Sequence, residues 1–265
     1  MKEVTFIMEE IMKLSVPGVE QAVSAQEWQV RVDLAALYRL VASFGWDDLV
    51  FTHLSARVPG DDEHFLINPY GLLYDEMCAS NMVKVDLNGD KVMDSPFDIN
   101  PAGFIVHSAV HEVRHDAMCV AHWHSRAGVA VAAQKEGLLP ISQQASLSLA
   151  SIAYHDYEGI AVDEEEKQSL QRDLGDKMNL ILRNHGLLVT GSTIADTFLF
   201  MYILESACQI QIAAMAGNSE LIHFDQTIID DTGRTTQAAT KGMLGGIAWP
   251  ALIRRLDKKD PSFRD

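Results

Sequence analysis

From Ser24 to Gly45 apolar residues recur with the period of a helix. Ser24 and Glu27 are spaced as a capping box, Val30, Leu34, Leu37 and Val41 share one face, and Gly45 supplies a stop. The spacing predicts a long amphipathic helix over 25–43. Residues 1–24 are weakly patterned, are broken by Pro17-Gly18, and read as an arm. After Gly45 the period shortens towards two. Strands are predicted at 49–58 and 64–67 around Pro59-Gly60-Asp61-Asp62, with a turn at 68–71 and a short helix or loop over 72–79. Asn88-Gly89 between 83–87 and 90–93 predicts a hairpin with a type I′ turn.

A polar stretch to Pro101 then leads into a helix whose apolar residues include Ile105, Val106, Ala109, Val110 and Val113. His107, His111 and His115 stack along it at four-residue steps. That pattern reads as a polar face in solvent for His111 and His115, and leaves His107, nearest the helix start, open. A strand is predicted into Ser125, a small-residue helix over 125–134, and a short strand over 159–162. Acidic residues 163–166 open another helix, as the helix dipole favours. The segments 138–141 and 146–153 stay ambiguous. Strands over 178–183 and 187–190 flank Asn184-His185-Gly186. Ser192 is the expected cap of the longest helix, roughly 194–216, which is apolar almost all round and so buried in a core or between subunits. Without repeats or a linker, one domain is expected at 25–220, between the arm and a tail at 221–265 that packs on the domain or a neighbour.

The chemistry gathers at Met118–Ser125, where an apolar strand runs into His122 and His124. In a strand, residues two apart share a face, so both imidazoles point together and Trp123 points away. That is a two-pronged metal claw, although paired structural histidines suit the spacing equally well. A third ligand would decide between them. His185 follows a strand of the same buried kind and precedes a glycine that permits close approach, which makes it the candidate.

Bulk properties narrow the partners. A formal net charge of -16 argues against nucleic acid or an anionic membrane surface. No apolar run reads as a membrane span and the first residues do not read as a signal peptide. Cys78, Cys119 and Cys208 lie far apart and suit reduced thiols. The expectation is an acidic, soluble, cytoplasmic protein.

Six stretches resemble the class II aldolase/adducin family over roughly 25–220. They are Phe-Leu-Ile-Asn-Pro-Tyr-Gly-Leu-Leu-Tyr (65–74), Asn-Pro-Ala-Gly-Phe-Ile-Val-His (100–107), Ala-His-Trp-His-Ser (121–125), Tyr-His-Asp-Tyr-Glu-Gly-Ile (154–160), Asp-Glu-Glu-Glu-Lys (163–167) and Leu-Arg-Asn-His-Gly-Leu (182–187). The likeness is closer to the adducin head domain than to the sugar-phosphate aldolases. It implies an α/β fold, a three-layer α/β/α domain around a mostly antiparallel sheet. It implies a divalent metal, usually zinc, on His122, His124 and His185, and assembly as a homo-oligomer, a tetramer among the aldolases. The resemblance also marks two departures. The aldolases' catalytic glutamate corresponds to Gly103, and their phosphate-binding serines to Pro101 and Ala102. A second phosphate loop is replaced by Thr52-His53-Leu54-Ser55.

The balance leans to an enzyme, a metal-dependent carbon–carbon lyase. It would carry out retro-aldol cleavage or decarboxylation through a metal-stabilised enolate, on a small non-phosphorylated oxygenated substrate. His53, His107 and Tyr70 are the candidates for proton transfer. The alternatives are a non-catalytic assembly module like the adducin head, without adducin's basic tail, and an oxygenase with iron on the same histidines. Manganese is a further possible metal.

Overall fold

The computed structural model describes residues 14–61, 63–159, 164–217 and 219–265. A single turn, α1 (Val19–Ala22), precedes α2 (Ala25–Phe44), where Ser24 Oγ accepts the Glu27 amide at 3.1 Å and Gly45 ends the helix in the left-handed region. Strands β1 (His53–Arg57), β2 (His64–Ile67) and β3 (Val83–Asp86) follow, then α3 (Pro101–Val113), β4 (Cys119–Trp123), α4 (Arg126–Ala132) and α5 (Gln143–Leu149). The chain continues through β5 (Ile152–His155), α6 (Glu164–Leu174), β6 (Asn179–Leu182), β7 (Gly186–Gly191) and α7 (Ile194–Met215). It ends in α8 (Gln226–Thr240) and α9 (Trp249–Lys259). The strand expected at 159–162 falls mostly outside the described residues.

The seven strands form one sheet in the order β3-β2-β1-β4-β7-β6-β5, antiparallel at every step except β5–β6. The pleat sends alternate residues to opposite layers. On one side Leu54, Ala56, Cys119, Ala121, Trp123, Leu187 and Val189 join the core beneath α2, α4 and α7. On the other, Val120, Leu180, Leu182 and Leu188 pack against Val106, Ala109 and Val110 of α3 and Leu170 and Leu174 of α6. This is the expected three-layer α/β/α arrangement around a mostly antiparallel sheet.

Three local expectations change. The Asn88-Gly89 turn is not type I′, because only Gly89 has positive φ. The Asp86 carboxylate accepts the amides of Asn88 and Asp90 at 2.8 and 2.9 Å, which holds residue 88 out of the left-handed region. The return segment makes a single bridge, Val85 to Lys91, rather than a strand. Thr193, not Ser192, caps α7, its hydroxyl accepting the Asp196 amide at 3.0 Å. By length and composition α7 could also cross a membrane, which the sequence reading did not anticipate. Here it packs as a core helix, with Phe198, Met201, Leu204 and Cys208 buried. Its polar Gln211 is satisfied internally, accepting from the Leu139 amide at 2.7 Å and donating to the Gly137 carbonyl at 2.8 Å.

The segment beyond 220 folds back on the domain. Leu256 and Phe263 enter the α2/α7 core, and the Ser80 amide donates to the Asp265 carbonyl at 2.8 Å. All three cysteines are free and buried. Phe263 has no exposed surface, so Phe263→Ala should cost about 3–5 kcal/mol through lost burial and the cavity left behind. Urea unfolding of the two proteins measures it, with a lower midpoint and an unchanged slope expected.

Candidate metal centre

Strand β4 lies between β1 and β7, and the register sets His122 opposite both His53 and Leu188. His122 is buried on the α3/α6 side of the sheet, and Trp123 points to the other layer, where its Nε1 donates to Glu205 at 3.1 Å. His124 stands just past the strand end. His185 comes from the β6–β7 turn, in which Asn184 takes a left-handed φ of 57° and the His185 amide closes on the Leu182 carbonyl at 3.1 Å. Gly186 is what lets this turn approach β4. A Cβ there would meet the Trp123 carbonyl oxygen at 2.6 Å and the His124 ring at 2.9 Å.

The three imidazoles form a nearly regular triangle, with ring centroids 4.7, 4.8 and 4.8 Å apart and one nitrogen from each within 4.8 Å of the others. Their outer partners fix how two of them point. His122 Nδ1 lies 2.9 Å from the Leu187 carbonyl, and His124 Nδ1 lies 3.1 Å from the Asp48 carboxylate. Both partners only accept, so both Nδ1 atoms carry hydrogen. The two Nε2 atoms then present lone pairs to each other at 2.9 Å. Neutral imidazoles in that arrangement repel unless a cation sits between them. Burial, reinforced by the neighbouring imidazoles, holds His122 well below its ordinary 6.5, and His185 is pushed down to about 4. A divalent ion fits, since imidazoles steered by a carbonyl or carboxylate are a usual metal-ligand set.

The other expected site residues fall at different depths. His53 lines the cleft above the triad, its ring stacked on His122 at 5.5 Å between centroids. Tyr70 is about half exposed and lines the same cleft. His107 does not. It is fully buried behind His53, with Nδ1 2.6 Å from Ser55 Oγ, and the same hydroxyl lies 2.7 Å from His111 Nε2. The solvent-face reading of His111 is thus corrected, while His115 is exposed as expected. The strand pleat explains the difference. Leu54 and Ala56 of β1 face the α2/α7 core, so His53, Ser55 and Arg57 face α3 and give its histidines polar company.

The cleft measures about 450 Å³. Phe51 and Tyr157 rim it, Asn100 and Ala102 bring in the first turn of α3, and no Lys, Arg, Asp or Glu stands among its described lining residues. Sequence reasoning missed Asp48, Ser55 and Tyr157. Tyr157 sits within a stretch already noted for its resemblance, but nothing in the local pattern around Asp48 signals a histidine partner.

The sequence profile of the Class II Aldolase and Adducin N-terminal domain matches residues 32–212. The chain belongs to the class II aldolase/adducin family. A crystal structure of an aldolase II superfamily protein from Pseudomonas syringae superposes with a TM-score of 0.88 and 50% identity, covering 93% of this chain and 99% of that one. The L-fuculose 1-phosphate aldolase from Glaciozyma antarctica gives a TM-score of 0.79 and 26% identity over 95% of this chain and 96% of its own. Mouse alpha-adducin is 45% identical over 242 residues, 86% of this chain but 33% of the adducin, so the chain corresponds to about a third of that protein. Among its described lining residues, the cleft that holds the histidine triad has no acidic side chain.

His107 and His111 are both pushed down to about 3, mainly by burial, with His111 adding to the shift at His107 and Arg57 at His111. Each folded-state value lies below the ordinary 6.5, so the unfolded chain takes up protons first as pH falls. Their contribution to stability is complete above about pH 6.5 and is lost progressively towards pH 3, at about 1.4 kcal/mol per unit for each imidazole. Denaturant unfolding at a series of pH values should show this slope, and His111→Gln should flatten it.

Proposed function

We propose that this protein is a divalent-metal-dependent carbon–carbon lyase acting on a small, uncharged or weakly acidic oxygenated substrate that carries no phosphate. The observation that carries the reading is the facing pair of Nε2 lone pairs on His122 and His124, 2.9 Å apart with both Nδ1 hydrogens committed elsewhere. His122, His124 and His185 would hold the ion, with zinc the best match to three imidazoles and open positions. Such an ion polarises a carbonyl oxygen and stabilises the negative charge that develops there when a neighbouring carbon–carbon bond breaks.

The remaining work falls to the chain's own residues. His53 and Tyr70 line the cleft and are assigned the hydrogen bonding and proton handling that the aldolases' glutamate would otherwise share. His107, enclosed behind them, supports His53. The absence of lysine and arginine from the described lining argues against a phosphate dianion. The L-fuculose 1-phosphate aldolase therefore supports the reaction type rather than its substrate. A cytoplasmic homotetramer is the assembly proposed with this reading.

The likeness to alpha-adducin favours a second reading, in which the domain serves assembly and performs no catalysis. Elemental analysis of the protein purified without added metal separates the two. Near-stoichiometric zinc, manganese or iron that is lost in His122→Ala/His124→Ala is the expected result, together with loss of any retro-aldol or decarboxylase turnover. Metal retained at full stoichiometry in the double variant, or absent from both proteins, would overturn the assignment.

A further inference from the structure

Gly103, at the position of the aldolases' glutamate, is buried in the first turn of α3 directly against His53. A Cβ at 103 would lie 2.4 Å from His53 Cδ2 and 2.6 Å from Nε2, closer than packed atoms approach. No side chain fits at 103 while the imidazole holds its place. The ring edge bearing Nε2 occupies the space in which a side chain at 103 would begin. The exchange is steric as well as chemical: losing the side chain at 103 makes room for the ring at 53.

The setting of the ring also selects its hydrogen. His53 Nδ1 is buried with no hydrogen-bond partner. A hydrogen on Nδ1 would be an orphaned buried donor, which is costlier than a buried lone pair. Hydrogen therefore resides on Nε2, in a ring that lines the cleft. The ring cannot readily turn to exchange its nitrogens. It is stacked on His122 at 5.5 Å, meets His107 edge-on at 5.4 Å and lies against Gly103.

We propose that His53 serves as a fixed hydrogen-bond donor through Nε2–H to the substrate oxygen that gains negative charge, and that Gly103 is the residue whose missing side chain positions it. His53 then stabilises charge rather than abstracting a proton, since its Nε2 lone pair is not available. Proton transfer is left to Tyr70. The inference rests on the lyase reading for its reaction but not for its geometry.

The two parts are tested separately. Metal-free protein labelled with nitrogen-15 histidine is studied by solid-state NMR, and the His53 signals are assigned by their loss in His53→Gln. A protonated Nε2 and an unprotonated Nδ1 are expected, and the reverse tautomer would overturn the proposal. Among variants, the glutamine amide reaches the place of Nε2, whereas the asparagine amide reaches only that of Nδ1. His53→Asn should lower kcat by about 10²–10³-fold, the usual cost of one oxyanion donor, with metal content unchanged. His53→Gln should recover most of it, and Gly103→Ala should fall with His53→Asn. Equal activity of the Gln and Asn variants, or full activity of Gly103→Ala, would refute the donor role. Should the wild type show no lyase turnover, the lyase reading fails alone. Acetohydroxamate, a small mimic of an enediolate, then replaces the substrate on metal-loaded protein, and the same order of affinities among these variants is required.

Discussion

The antiparallel register of β1, β4 and β7 is the constraint on which the site depends. With His53 opposite His122 and His122 opposite Leu188, three strands bring one imidazole, its stacked neighbour and the Leu187 carbonyl within a few ångströms. A slip of one residue would turn His122 towards the α2/α7 core and Trp123 towards α3. Both layers oppose that slip. Trp123 is anchored through Nε1 to Glu205, and Val120 and Leu188 fill the α3/α6 side. The geometry of the histidine triad is thus secured by the same apolar contacts that make the sheet a sheet.

Next to that register lies an unusual concentration of buried imidazole. His53, His107, His111 and His122 all face one layer, each at most 4% exposed. Burial holds each below its ordinary pKa, so these four imidazoles are uncharged near neutrality. Hydrogen bonds to Ser55 and the Leu187 carbonyl, together with ring stacking, offset the desolvation. A divalent ion would enter a site lined by neutral donors, with the Asp48 carboxylate one step behind His124. The overall charge of -16 says little about this local environment.

Two of the positions that the resemblance marks as departures from the aldolases lie against each other. Gly103 and His53 were each legible as a replacement, but their packing against each other was not, because 50 residues separate them and only the β1–α3 contact joins them. The described lining of the cleft is correspondingly neutral, with imidazoles beneath the aromatic rim of Phe51 and Tyr157.

Much of the architecture was determined by the sequence alone. Ser24, Glu27 and Gly45 bound α2, and the apolar runs before His122 and His185 identify buried strands, because capping chemistry and side-chain alternation are local properties. The histidine triad was also nameable, through two short motifs and a family resemblance. Other features are not local. His111 reads as solvent-facing on its own helix and is buried because β1 offers it Ser55 and Arg57. Asn88-Gly89 reads as a type I′ turn until the Asp86 carboxylate takes the neighbouring amides. Asp48 becomes a partner of His124 only when a loop 76 residues away folds beside it. Period and caps are written in neighbouring residues, whereas burial and hydrogen-bond partners depend on which distant segments share a face. Only tertiary structure decides that.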